Sequence, residues 1–148
     1  MNRVVLDASV ILKWYLPDEL YGKNALDLLE KFTIGTLDVA APTLLEYELM
    51  NALMIAGKRG RLDAGAVMTA LEGFKCLGIP LLGPADHYDR IVHYCHTYAR
   101  SAYDGSYLAL AERENRELVT ADERLFNGVK AKLTWVRWIG DTGIGDSH

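Results

Sequence analysis

An α/β domain built on a parallel sheet with helices on both faces is the fold class this sequence predicts. Two observations lead there. Short runs of β-branched and aliphatic residues alternate with longer segments of helical apolar spacing, and strands separated by helices pair in parallel and are covered on both sides. The apolar patterning also runs from Val4 to Ile139 without a repeat, a low-complexity tract or a Pro/Gly/Ser linker. The 148 residues therefore read as one domain over 1–140, a size that suits a single hydrophobic core.

VVLD at 4–7 opens the chain as a strand, followed by helical spacing at 8–16 and 19–33. LDVAA at 37–41 is the second strand, and helices are expected at 43–57 and 62–77. Further helices at 86–99 and 103–115 precede the strand LVT at 118–120, a helix at 122–132 and the strand WVRWI at 135–139. Pro42, Asp63, Asp86 and Asp122 suit helix starts, whereas Gly57, Gly60 and Gly78 suit ends. The closing GDTGIGDSH has little to bury, so 141–148 are expected to form a flexible tail.

Half the residues are apolar and mean hydropathy is near zero, as in a soluble globule with a substantial core. The apolar run near the start is interrupted by Asp7 and Lys13, far short of the roughly 20 residues a membrane helix needs, and it carries no cleavage pattern of a signal peptide. No membrane association and a cytoplasmic location are expected. Sixteen basic against 20 acidic residues give a formal charge of −4, which argues against binding nucleic acid through bulk positive charge. Carboxylates gathered around bound cations would reverse the local field. Cys76 and Cys95 fall inside helical apolar patterns and are expected as buried free thiols.

Four acids stand at element boundaries or on inward faces. Asp7 closes the first strand just before a helix, at the carboxyl edge of the sheet where open α/β folds bind ligands, and Asp122 follows LVT in the same way. Either also suits a helix N-cap. At about 100° per residue, Glu48 lies beside Leu44, Leu45, Asn51, Ala52 and Ile55, a stripe expected to face the sheet, while Glu46 points the opposite way beside Met50 and Leu53. An ionised Glu on an inward stripe calls for a cation or a raised pKa, and Asn51, one turn on, is placed to orient it. Asp104 opens a helix whose Tyr107, Leu108, Leu110 and Ala111 read inward, where it also favours the helix dipole. Ser9, two residues after Asp7, and Thr120, two before Asp122, are placed to orient these acids or a metal-bound water.

VVLDAS at 4–9, PTLLEYELMNAL at 42–53, AYDGSYLALA at 102–111 and LVTADERL at 118–125 resemble, in that order, the PIN-domain ribonucleases, in particular the VapC-type toxins of toxin–antitoxin pairs. The resemblance spans nearly the whole chain. It implies a PIN-like three-layer α/β/α sandwich with a central parallel sheet. It also implies a magnesium-dependent endonuclease that hydrolyses RNA to a 5′-phosphate and a 3′-hydroxyl, with Asp7, Glu48, Asp104 and Asp122 as catalytic acids and Ser9, Asn51 and Thr120 in support. A homodimer paired with a small antitoxin protein is implied as well. Gly105 stands where members often carry Ala, a mild departure.

Magnesium takes oxygen ligands and keeps several waters, so Asp7, Asp104 and Asp122 are the expected metal ligands, direct or through water, with Mn²⁺ able to substitute. No Cys/His spacing suggests zinc, and His87, His93 and His96 are expected to be structural or at the surface. Lys58, Arg59 and Arg61 form the densest basic cluster and, with Lys13 and Arg124, are candidate RNA contacts; basic residues near a helix end also answer its dipole. A haloacid-dehalogenase-like phosphatase would want an Asp where Ser9 stands, and a nucleotide-binding domain a glycine-rich loop that VVLDASVILKW lacks. A non-cleaving PIN-like scaffold for RNA or protein and a housekeeping RNA-processing nuclease remain as alternatives.

Overall fold

A computed structural model describes residues 2–146. Five strands, β1 (Asn2–Leu6), β2 (Leu37–Pro42), β3 (Leu81–Leu82), β4 (Glu117–Thr120) and β5 (Val136–Trp138), form one sheet in the order β3-β2-β1-β4-β5, parallel throughout. Register is set at its centre by Val4 opposite Val39 and Val5 opposite Leu118.

Side chains alternate across each strand and so feed two cores. Val4, Leu6, Val39, Ala41 and Val119 pack beneath α1 (Ala8–Ile11), α2 (Gly22–Thr33), α3 (Leu44–Lys58) and α4 (Ala64–Leu77). Val5, Leu118 and Val136 face α5 (Tyr88–Tyr98), α6 (Ala102–Arg113) and α7 (Glu123–Val129). The result is the expected three-layer sandwich. The chain runs outward from β1 through β2 to β3, then returns past β1 to β4 and out to β5. Strand order therefore reverses between β1 and β4, and at their carboxyl ends the departing loops diverge and leave a crevice.

The structure departs from the sequence expectations in several places. β3 was not anticipated, because only Leu81 and Leu82 between Pro80 and Gly83 join the edge, too short for a periodic signal. The helix expected at 8–16 is one turn of α1 followed by a 3-10 turn over Leu12–Trp14. Asp63 and Asp122 do cap helices, and Gly78 ends α4 with φ of 70°. Pro42 instead finishes β2, and Asp86 pairs with Arg113 at 3.3 Å rather than capping. Neither cysteine is buried: Cys76 is exposed and Cys95 half-buried, both free.

The tail is not loose over its described part. Ile144 is 6% exposed within the first core, and Lys31 donates to its carbonyl at 3.0 Å and pairs with Asp146 at 2.9 Å. One apolar anchor and one lysine are enough to dock a glycine-rich segment that composition alone reads as free. Residues 147 and 148 lie outside the described residues. Among the described residues no helix is long and apolar enough to cross a membrane.

Gly105 governs how closely α5 and α6 approach. A Cβ there would stand 2.7 Å from the Cys95 Sγ and 3.0 Å from the Ile91 carbonyl oxygen. Replacing it with Ala gains about 1 kcal/mol of helix propensity but forces the two helices apart. Gly105→Ala is expected to lower stability by about 1–2 kcal/mol net in urea unfolding; an unchanged or raised midpoint would contradict the close approach.

Candidate active site

Asp7 leaves β1 in extended conformation (φ −87°, ψ 173°) and caps α1, accepting the Val10 N–H at 3.3 Å. Its two oxygens are also claimed by hydroxyls. Ser9 Oγ donates to Oδ1 and Thr120 Oγ1 to Oδ2, each at 2.5 Å. Each hydroxyl in turn accepts a backbone N–H from the loop after β4, Ala121 at 2.9 Å and Asp122 at 3.0 Å. The carboxyl ends of β1 and β4 are thereby stitched together through one side chain. Asp7 is only 5% exposed. Burial pushes its pKa up to about 6, against the three hydrogen bonds, with the Asp122 charge adding to the rise.

Asp122 caps α7 through Oδ1, which accepts from Arg124 N at 3.0 Å and Leu125 N at 3.3 Å. Asp104 sits in the first turn of α6, where its own N–H is capped by Ser101 Oγ at 3.1 Å. Burial raises the Asp104 pKa and the Asp122 charge raises it further, opposed by Arg100 and Arg124. Arg100 Nε lies 4.0 Å from Asp104, and its Nη1 donates to the Arg124 carbonyl at 2.8 Å, tying the start of α6 to that of α7.

Glu48 accepts from the Tyr107 hydroxyl at 2.6 Å. Burial raises its pKa; the Tyr107 hydrogen bond opposes the rise and the Asp104 charge adds to it. Glu48 is half-buried and Glu46 exposed, but the stripe on which Glu48 was placed is rotated. Leu45, Leu49, Leu53 and Ala56 are the buried face of α3, while Ile55 is exposed, so Glu48 flanks the core rather than entering it. Asn51 is exposed, and among the described residues no hydrogen bond joins it to Glu48. Tyr107 does the orienting instead. Its ring had been read as core packing, and the hydroxyl at its tip is invisible to apolar spacing. Arg100 was also missed, since it sits in a loop after Ala99 (φ 53°) and belongs to no motif.

The four acids thus share one electrostatic neighbourhood, Asp122 acting on Asp7 and Asp104, and Asp104 on Glu48. They do not touch. Among the described residues no three His, Cys, Asp or Glu side chains are close enough to hold a metal ion between them. The donor set is nonetheless all oxygen. This fits a hard divalent ion that keeps part of its water shell.

Of the basic residues, Lys13 pairs with Glu19 at 3.6 Å, and Arg61 with Glu19 at 2.7 Å and Asp18 at 3.3 Å. Lys58 and Arg59 end α3 exposed, and Arg124 is exposed beside Asp104. His93 and His96 are exposed.

Fold and site together define a doubly wound α/β domain with hydroxyl-braced carboxylates at its switch point. The PIN domain model matches residues 4–132, and the chain belongs to the PIN-domain family. It is 37% identical over 122 residues to Ribonuclease VapC9 of Mycobacterium tuberculosis, covering 82% of this chain and 87% of that one. It is 29% identical over 140 residues to Ribonuclease VapC3 of Pyrobaculum aerophilum, covering 89% and 98%. The crystal structure of PAE2754 from Pyrobaculum aerophilum superposes with a TM-score of 0.65 at 22% identity, covering 93% of this chain and 84% of that chain, a likeness of fold.

The Asp7 shift carries a pH dependence of stability. Its pKa is higher folded than unfolded, so its contribution is fully present below the ordinary value of 3.8 and is lost as pH rises through about 6. In chelator, the stability of the wild type relative to Asp7→Asn is expected to fall by up to about 3 kcal/mol between pH 4 and 7, read by urea unfolding at each pH. A difference that stays flat over that range would contradict the buried, cation-free carboxylate.

Proposed function

We propose that this chain is a divalent-metal-dependent endoribonuclease that hydrolyses RNA phosphodiester bonds and acts in the cytoplasm as the toxin of a toxin–antitoxin pair. Membership of the PIN-domain family and similarity over most of the chain to proteins named VapC ribonucleases support this reading. The single observation that carries it at the level of residues is the buried Asp7 carboxylate, braced by Ser9 and Thr120 at the sheet's switch point with Asp122, Asp104 and Glu48 around it.

Asp7, Asp104 and Asp122 are the residues assigned to hold Mg²⁺, or Mn²⁺ in its place, partly through water. When bound, the ion supplies Lewis acidity that positions water and neutralises charge on the phosphate and the leaving oxygen. The rest is done by the chain. Ser9 and the Val10 N–H occupy Oδ1 of Asp7 while Thr120 takes one lone pair of Oδ2, which fixes the plane of the carboxylate and leaves the second lone pair of Oδ2 free. Tyr107 holds Glu48 through Oε1, and Glu48 is assigned to orient the attacking water and receive its proton. Arg124, Lys58 and Arg59 are the cations left to meet RNA phosphates, whereas Lys13 and Arg61 are engaged by Asp18 and Glu19. A homodimer and a small antitoxin whose basic residues cover the acidic site complete the proposal.

Labelled RNA incubated with purified protein, with and without Mg²⁺, tests the assignment. Asp7→Asn is expected to lower cleavage at least about 100-fold while remaining folded, and Ser9→Ala or Thr120→Val about 10- to 100-fold, as for groups that orient a ligand. Cleavage that survives Asp7→Asn, or that ignores chelator, would refute the mechanism. Binding without cleavage over varied RNAs would favour a scaffold, and a co-purifying inhibitor encoded beside this chain would favour the toxin over a housekeeping nuclease.

A further inference from the structure

A pocket of about 200 Å³ opens between the first turns of α3 and α6, lined by Thr43 and Leu44 on one side, Tyr103 and Ser106 on the other, and His87 and Pro84. The proposed chemistry makes no use of it, yet its walls stand one helical turn from Glu48 and Tyr107. Leu44 precedes Glu48 by four residues and Tyr103 precedes Tyr107 by four, so the pocket walls and the Glu48–Tyr107 hydrogen bond are successive turns of the same two helices. One turn is about 5.4 Å.

Two side chains in this pocket are unexplained by packing. Tyr103 is a large ring left 66% exposed, one residue before Asp104. His87 is the reverse, only 5% exposed. Its Nδ1 lies 3.1 Å from Arg113 Nη1, and because a guanidinium can only donate, Nδ1 accepts and the ring proton sits on Nε2. Among the described residues no acceptor takes that Nε2–H, and the nitrogen is not sealed from its surroundings. His87 thus lines the pocket with one ring donor left unengaged.

We infer that this pocket receives the nucleobase next to the cleaved bond of a single-stranded RNA, the Tyr103 ring stacking on the base and the His87 Nε2–H donating to an acceptor on the base edge. The inference rests on the ribonuclease reading above. Its occupant follows from chemistry. Apolar walls and an exposed aromatic ring suit a flat π-face, and a single fixed donor suits a ring nitrogen or carbonyl oxygen. The neighbouring acids repel a phosphate but not a neutral base. The volume admits a base and is too small for a protein helix. Base–aromatic stacking is worth about 1–3 kcal/mol, so Tyr103 becomes a specificity-determining residue at one nucleotide position.

The test uses the full chain carrying Asp7→Asn and an eight-nucleotide single-stranded RNA with 2-aminopurine at each position in turn, read by fluorescence. Quenching at one position is expected, retained in Tyr103→Phe and lost in Tyr103→Ala and in Ala102→Leu, which narrows the pocket from an exposed position. With Asp7 intact and Mg²⁺ present, Tyr103→Ala is expected to lower kcat/KM about 10-fold on the preferred sequence and relax the preference at one nucleotide beside the cut, with the thermal midpoint unchanged. Quenching that is absent, or the same in Tyr103→Ala, overturns the inference. So does a Tyr103→Ala protein that dissociates from dimer to monomer in sedimentation while quenching persists, since the pocket would then belong to a protein interface. If the wild type cuts no RNA but quenching depends on position and on Tyr103, the nuclease reading fails and the base pocket stands.

Discussion

The interaction on which the rest of this structure depends is the double clamp on Asp7. A carboxylate removed from water costs several kcal/mol unless its oxygens are satisfied, and here Ser9, Thr120 and the Val10 N–H supply three hydrogen bonds. Those bonds are not enough: burial still outweighs them and leaves the pKa near 6. The clamp is also structural. Each hydroxyl takes a backbone N–H from the loop after β4 while donating to Asp7, so the two central strands are joined at their carboxyl ends by side chains, beside the last backbone bond from the Asp7 N–H to the Val119 carbonyl at 3.4 Å.

That placement follows from the winding of the chain. With β2 and β3 on one side of β1 and β4 and β5 on the other, the connections after β1 and β4 leave in opposite directions. Asp7 and Asp122, 115 residues apart in sequence, begin their helices on either side of this opening. α3 and α6 then close over it from the two faces of the sheet, joined by the Glu48–Tyr107 hydrogen bond. The site is thus assembled from both layers, and the tight α5–α6 contact at Gly105 bears directly on where Asp104 stands.

Strand and helix alternation was legible because it is a local pattern, and so were the acids at element ends. The failures share a cause in being set by contacts distant in sequence. β3 exists only because two residues find the edge of β2, and the tail docks because Ile144 and Asp146 meet Lys31. The stripe on α3 was misjudged because its apolar residues cover most of the helix circumference, leaving the buried direction to be decided by what packs against it. Tyr107 and Arg100 act through their tips, and residue spacing carries no information about where a hydroxyl or guanidinium ends.

Helix capping and metal chemistry appear from sequence as competing explanations of these aspartates, and the geometry leaves the two compatible. Asp7 accepts the Val10 N–H while facing Asp122, and Asp122 accepts two α7 amides through Oδ1 alone, leaving Oδ2 outside the cap. Asp104 gains from the α6 dipole and from Arg100 at 4.0 Å. Each carboxylate is therefore held in place by hydrogen bonds and charges of the chain itself. The Asp122 charge acts on Asp7 and Asp104 and the Asp104 charge on Glu48, so the repulsion among the four acids is spread over neighbouring pairs rather than concentrated at one point. An all-oxygen set of this kind is what a strongly hydrated divalent cation prefers.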